Sequence, residues 1–323
     1  MTKTLTADYQ STIEEIKKLE DVGCQIIRCA VPDEESAYAL GKIKKQINIP
    51  LVADIHFNHK LALIAAQMGV DKLRINPGNI GSLDNIEAVV KAAEERKIPI
   101  RIGVNSGSLE KEILAKYKHV TAKALVESAM KNVKLLEMFN FFDIVISIKA
   151  TSVPMTLEAY RLISKKVNYP LHIGITESGI PKIGMIKSSV GIGILLSEGI
   201  GDTIRVSLTS EPTEEVRVAY EILKSLELSN RGLTIISCPT CGRCRLPMIK
   251  VAEEIEAKTR GIIKPIKVAI MGCEVNGPGE AKEADIGLAG GLGTGIIFRR
   301  GKVVKKVPED QMVNELLKEI VSF

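Results

Sequence analysis

Cys238-Pro239-Thr240-Cys241 sets two thiols two residues apart, and a third, Cys273, ends an apolar run 32 residues further on. C-x₂-C spacing lets two thiolates reach one metal or one cluster from a single turn. Cys244 stands close by as a tempting fourth thiol. Three readings compete for this set. A structural zinc site would take Cys238, Cys241, Cys244 and Cys273 together. A redox dithiol would leave Cys273 and the following Asn276-Gly277-Pro278-Gly279 unexplained. An iron–sulfur cluster would use at least three thiolates and supply electrons to something bound nearby. Cys24 and Cys29 lie in or beside an apolar run and read as small core hydrophobes.

A second constellation lies upstream, at the ends of apolar runs. In order it comprises Arg28; Asp54 and His56; Arg74 and Asn76; Arg101 and Asn105; Lys149; His172 and Glu177; Arg205 and Ser207. A buried guanidinium without a partner is costly, so each arginine needs a carboxylate or a bound anion. Asp54 and Glu177 do not neutralise Arg28, Arg74, Arg101, Lys149 and Arg205. The surplus points to a phosphate-bearing ligand, whose oxygens match guanidinium forks. The competing reading pairs single arginines with helix carboxylates outside the core. Asn76-Pro77-Gly78-Asn79-Ile80-Gly81 adds a turn whose amides would suit an anion, although Pro-Gly is also ordinary turn chemistry. Glu177 is the candidate acid or base; the bland alternative is an ion pair to Arg205 or Lys149. His56 follows as a proton donor, while His59 and His119 read as surface or helix-start residues.

What must hold these residues is a repeated strand and helix. The runs 25–31, 51–57, 72–76, 98–104, 143–148, 171–176 and 203–208 are near-continuously apolar, as strands of a parallel sheet buried on both faces are. Between them, stretches such as Ser82–Arg96 and Thr121–Phe139 repeat apolar residues at helical spacing. A helix over Asp8–Asp21, capped by Asp8 or Ser11 and stopped by Gly23, has no strand ahead of it. Seven strands and eight helices, the last at Thr213–Leu228, are one strand short of a TIM (β/α)₈ barrel, whose chemistry sits at the carboxyl ends of the strands. The expected fold is α/β: such a barrel over residues 1–230, its first strand missing or displaced, followed by a smaller α+β domain over 231–323. An open doubly wound sheet is the alternative. The smaller domain should contain a helix near Met248–Lys258, a strand at Lys267–Met271, a hairpin around Arg300-Gly301-Lys302 and a closing helix at Asp310–Val321.

Composition narrows the partners. Hydrophobic residues are 45% and charged residues 26% of 323, the balance of a globular chain with a large core. Trp is absent and aromatics are 4%, so stacking platforms for nucleic acid are scarce. The net charge of +5 is spread along the chain without a polybasic block, which a small anion explains as well as a polymer. There is no signal-peptide pattern and no apolar run near the roughly 20 residues that span a bilayer, so a cytoplasmic location without membrane contact is expected. Reducing surroundings then favour metal or redox roles for clustered thiols.

These residues resemble one family. Cys-Pro-Thr-Cys-Gly-Arg and the later Gly-Cys-Glu-Val-Asn-Gly-Pro-Gly-Glu-Ala look like the 4-hydroxy-3-methylbut-2-enyl diphosphate synthases of bacterial isoprenoid biosynthesis. The stretches at 52–57, 73–81, 101–109, 174–179 and 197–208 are similar to that family's signatures too, so the resemblance covers essentially the whole chain. It implies two-electron reductive ring opening and dehydration of 2-C-methyl-D-erythritol 2,4-cyclodiphosphate. It implies a [4Fe–4S] cluster on Cys238, Cys241, Cys273 and the carboxylate of Glu280, with Cys244 a bystander. It implies substrate contacts from Arg28, Asp54, His56, Arg74, Asn76, Arg101, Asn105, Lys149, Arg205 and Ser207, with Glu177 and His56 as catalytic candidates. A homodimer fed by flavodoxin or ferredoxin also follows from the likeness. Relatives begin with a further strand ending in Gln-Ser-Met-Thr, of which Met1-Thr2 reads as the remnant. The reading from a different class is a non-catalytic barrel with a structural zinc site that binds a phosphorylated metabolite.

Overall fold

The computed structural model describes residues 1–273, 279 and 282–323. The chain divides into two compact units, Met1–Leu226 and Glu227–Phe323.

In the larger unit, strands alternate with helices in the order α1 (Tyr9–Asp21), β1 (Ile27–Ala30), α2 (Glu34–Lys44), β2 (Leu51–Asp54), α3 (His59–Gln67), β3 (Lys72–Ile75) and α4 (Leu83–Arg96). There follow β4 (Ile100–Asn105), α5 (Lys111–Tyr117), α6 (Ala122–Glu137), β5 (Ile144–Lys149) and α7 (Val153–Ile163). The unit ends with β6 (His172–Ile173), α8 (Pro181–Ser197), β7 (Thr203–Ile204) and α9 (Pro212–Ser225). Strands β1 to β5 form a parallel sheet in sequence order, and β6 pairs in parallel with β7. A single parallel bridge between Ile146 and Leu171 joins the two. Ahead of α1 the described chain has no regular strand; Thr2 N–H donates to the Arg28 carbonyl at 3.1 Å.

Local chemistry explains the helix starts. Asp8 accepts from Ser11 N–H, Asp33 from Ser36 N–H and Thr121 from Ala124 N–H, each satisfying an amide that the first turn leaves unpaired. Between helices and sheet lies an aliphatic core. Ile27 and Cys29, Leu51 and Ala53, Leu73 and Ile75, Ile100 and Ile102, and Ile146 and Ile148 are all buried to 1% exposure or less. Successive residues of a strand face opposite sides. The residues between these, among them Arg28, Asp54, Arg74, Arg101 and Lys149, therefore share the other face.

The smaller unit is a five-stranded mixed sheet in the order β12-β11-β10-β9-β8. Its strands are β8 (Leu233–Ser237), β9 (Ile266–Met271), β10 (Ile286–Gly290), β11 (Thr294–Arg299) and β12 (Lys302–Pro308). Helices α10 (Met248–Thr259) and α11 (Met312–Ser322) bury Val251, Ile255, Leu316 and Ile320 with Val268, Ile270, Ile286 and Leu288. Strands β8 and β9 are parallel and joined through α10; β10 to β12 form antiparallel hairpins.

Candidate functional site

Strand register brings the polar residues of the larger unit together. Asp54 is paired with Arg74, and Arg74 with Arg101, while Asn105 is paired with Lys149. Asp54 is the hub: its Oδ1 lies 3.0 Å from Arg74 Nη1 and its Oδ2 3.4 Å from Arg28 Nε. Burial raises the Asp54 carboxyl, but Arg28, Arg74, His56 and Arg101 outweigh it and hold the group below its ordinary value. It is an anion at neutral pH.

One carboxylate does not balance this face. Arg101 and Lys149 are buried, and among the described residues neither has a carboxylate within 4.0 Å. Burial, then the charges of Arg28 and Arg74, lowers Arg101 to about 9; burial lowers Arg28 to about 10, with Asp54 opposing. Burial and then Arg205, Arg28 and Arg101 push Lys149 well below its usual range. The guanidinium groups of Arg28 and Arg101 stay protonated, so this face carries unbalanced positive potential. An anion with several oxygens would relieve it. Arg28, Arg101 and Arg205 each have a buried Nε without a hydrogen-bond acceptor, and the buried Asn76 Oδ1 has no donor.

His56 stands on the loop after β2, more than half exposed. Its ring nitrogens lie 3.3 and 3.4 Å from Arg74 Nη1, and its Nε2 is 3.7 Å from Asp54 Oδ1. Partial burial lowers the imidazole, Asp54 opposes, and Arg74 and Arg28 add to the lowering. Glu177 is exposed after β6 with φ at 50°, a left-handed conformation rare outside glycine. Its Oε2 accepts from Thr151 Oγ1 at 3.0 Å, so the ion pair to Arg205 or Lys149 weighed from the sequence is not formed among the described residues. Ser207 is half-buried just beyond β7.

Sequence reasoning missed Glu215. It sits in the first turn of α9, accepts from Leu208 N–H at 2.9 Å and places Oε2 3.8 Å from Arg205 Nη2. One arginine thus has the helix carboxylate that the competing reading allowed. The signal was Pro212-Thr213-Glu214-Glu215, a helix opening whose acidic turn follows directly on the strand bearing Arg205. Also missed was the tie between β5 and β6: the Tyr160 hydroxyl accepts from Ile148 N–H at 3.0 Å and donates to the His172 carbonyl at 2.7 Å.

In the smaller unit all four cysteines are free thiols. Cys238 follows β8, its N–H donating to the Ile270 carbonyl of β9 at 3.1 Å, and Cys273 lies buried two residues past the end of β9. Neighbouring parallel strands therefore end in these two thiols. Cys241 is exposed, and its thiol is lowered by the Arg243 backbone N–H and then by the Arg243 side chain. Cys244 Sγ packs against Gly272, where a Cβ would come within 2.5 Å of it, and donates to the Leu246 carbonyl at 3.2 Å. Arg245 N–H donates to the Gly272 carbonyl at 2.8 Å, pinning the Cys turn beside Cys273. Among the described residues no three His, Cys, Asp or Glu are grouped as a closed metal site, and Glu280 lies outside the described residues.

Comparison with known proteins agrees along the whole chain. The GcpE TIM-barrel domain matches residues 1–220 and the GcpE protein C-terminal domain matches 234–322. A 4-hydroxy-3-methylbut-2-en-1-yl diphosphate synthase (flavodoxin) of Caldanaerobacter subterraneus subsp. tengcongensis is 61% identical over 320 residues, covering 99% of this chain and 90% of its own. The Clostridium acetobutylicum protein of that name is also 61% identical, over 99% and 92%, and the Geobacillus kaustophilus one 58%, over 99% and 86%. Among solved structures, a type I 3-dehydroquinate dehydratase from Clostridium difficile matches 68% of this chain and 87% of its own at 15% identity, with a TM-score of 0.49.

Proposed function

Because the chain belongs to the GcpE family, the 4-hydroxy-3-methylbut-2-en-1-yl diphosphate synthases, and carries that oxidoreductase activity of the non-mevalonate route to isoprenoids, we infer that the cation-rich face of its larger unit receives the cyclic diphosphate. The observation that carries this reading is the charge imbalance around Asp54: buried Arg101 and Lys149 without carboxylates, beside Arg28 and Arg74 sharing one. We read the seven strands as belonging to a (β/α)₈ barrel, over residues 1–230, and residues 231–323 as an α+β iron–sulfur domain. No described helix is long and apolar enough to cross a membrane, and a cytoplasmic homodimer fits this reading.

Free thiols at the ends of two adjacent strands, with the acidified Cys241 thiol three residues beyond Cys238, are a soft donor set suited to iron and sulfide. Cys238, Cys241 and Cys273 would hold a [4Fe–4S] cluster, with Glu280 as the fourth ligand carried over from the family resemblance. When bound, that group supplies two electrons singly, taken from flavodoxin, the donor named for the relatives, or from a ferredoxin.

The chain's own residues do the rest. Arg28, Arg74, Arg101, Lys149 and Arg205 bind the phosphoryl oxygens and fix the ring, with Asn76, Asn105 and Ser207 completing the contacts. These cations also stabilise the diphosphate charge that appears when the ring carbon–oxygen bond opens and the diphosphate keeps the electron pair. Asp54 keeps Arg28 and Arg74 in place. Glu177 delivers the proton with which the substrate hydroxyl departs as water, and His56, held beside Arg74, donates a hydrogen bond to the substrate.

Strictly anaerobic purification with iron, sulfide and zinc quantification, followed by turnover of the cyclic diphosphate with reduced flavodoxin, tests the reading. A brown protein with iron and sulfide in equal amounts and the allylic diphosphate as product is expected. A colourless, zinc-loaded protein that binds the substrate unchanged would overturn it.

A further inference from the structure

Asn132 is fully buried on a face of α6 that also buries Leu125, Ser128, Ala129, Val133 and Leu136. A carboxamide among aliphatic side chains is costly unless its groups are paired. Both ends of this one are used, its Nδ2 also lying 3.5 Å from Glu110 Oε1. Its Oδ1 accepts from Gly78 N–H at 2.7 Å, and its Nδ2 donates to the Ser128 carbonyl at 2.8 Å. Gly78 belongs to the 3₁₀ turn Pro77–Asn79 that leaves β3, two residues past Asn76.

The turn has little freedom. A Cβ at Gly78 would meet Asn132 Oδ1 at 3.3 Å, Glu110 Oε1 at 3.4 Å and Asn76 Oδ1 at 3.8 Å. It is wedged between α6, the residue that opens α5, and the Asn76 side chain. Asn76 is itself buried, 4% exposed, with an Oδ1 that has no donor among the described residues. A polar atom held in place yet uncommitted is suited to a ligand.

We propose that Asn132 is a positioning residue for the reaction: through the Gly78 amide it sets the turn after β3 and so places the Asn76 carboxamide for the substrate. The proposal rests on the reading above that this face binds the cyclic diphosphate. Asn132 itself touches no substrate. Its loss therefore weakens binding through Asn76, and a small misplacement of a binding group is enough to cost one to two orders of magnitude.

Steady-state kinetics on the cluster-loaded enzyme, with thermal unfolding alongside, test it in Asn132→Ala, Asn76→Ala, the double variant and Arg101→Ala. Expected for Asn132→Ala is a KM raised about tenfold with kcat within about threefold. In the Asn76→Ala background the same substitution should add less than about threefold, since the group it positions is gone. Full additivity, or a fall in kcat alone, would overturn the proposal. An unchanged KM in Asn132→Ala while Arg101→Ala raises KM overturns the positioning role alone; an unchanged KM in both overturns the reading of the face as well. Should Asn132→Ala not fold, Gly78→Ala carries the test, with the same rise in KM and the same non-additivity with Asn76→Ala required.

Discussion

The guanidinium of Arg74 lies across the backbone of Gly103 on the neighbouring strand. Nη2 donates to the Gly103 carbonyl at 3.2 Å, and a Cβ at Gly103 would come within 2.2 Å of Nε. Any side chain there displaces Arg74 from its contact with Asp54. Because the clash is with the far end of a side chain, Gly103→Ala should fold, at a cost of about 1–3 kcal/mol. The expected kinetic outcome is a kcat/KM for the cyclic diphosphate at least about tenfold lower. Urea unfolding and steady-state kinetics on one preparation check both; unchanged kinetics would mean that Arg74 does not bind substrate.

Asp54 gives a pH signature. Its folded pKa is depressed from 3.8 by the surrounding cations, so its contribution is fully present above about pH 4 and lost as pH falls through the lower folded value. Urea midpoints of the wild type should therefore drop in acid more steeply than those of Asp54→Asn. At neutral pH that variant leaves Arg28 and Arg74 buried without their carboxylate and should be about 3–5 kcal/mol less stable. Parallel acid profiles for the two proteins would contradict the assignment.

The strained Glu177 is also the proposed proton donor. A left-handed non-glycine residue costs on the order of 1 kcal/mol, and such strain concentrates at functional sites. Glu177→Gly should raise the unfolding free energy by about that amount while abolishing turnover. Glu177→Gln should lower kcat by roughly 10²–10⁴ with KM and iron content close to wild type. Activity retained by the Gln variant would remove Glu177 from the proton path.

The proposed ligand set separates the thiols by role. Cys273→Ser should abolish cluster assembly, whereas Cys244→Ser should leave iron and sulfide content nearly unchanged and lose only the packing against Gly272. Anaerobic metal analysis with the visible spectrum reads this directly, and equal losses would require a different ligand set.

Much of this was legible in the residues. All seven β-rich runs of the larger unit contain strands, because a strand buried on both faces leaves a nearly continuous apolar signature. Asp8, one of the two caps that the sequence offers for α1, accepts from Ser11 N–H in the structure. What escaped was short or context-dependent. The seven-residue α5 is too brief to show a helical period, and β8 and β10, Leu233–Ser237 and Ile286–Gly290, lie among cysteines and glycines that read as loop. The polar strand ends were found by charge arithmetic, but pairings were not: Glu215 beside Arg205 and Thr151 beside Glu177 depend on how helices and loops return to the sheet.

The parallel pairing of β8 and β9 fixes an order of events. Parallel neighbours need a crossover, here through α10, so Cys238 and Cys273 come side by side only once that crossover has formed. A zinc knuckle closes on a local loop and can nucleate its own fold. In this chain the third thiol arrives only with tertiary structure. On the proposed ligand set, maturation is then a late step performed on an already folded domain, and a variant that slows the crossover is expected to lower the iron content without touching a single proposed ligand.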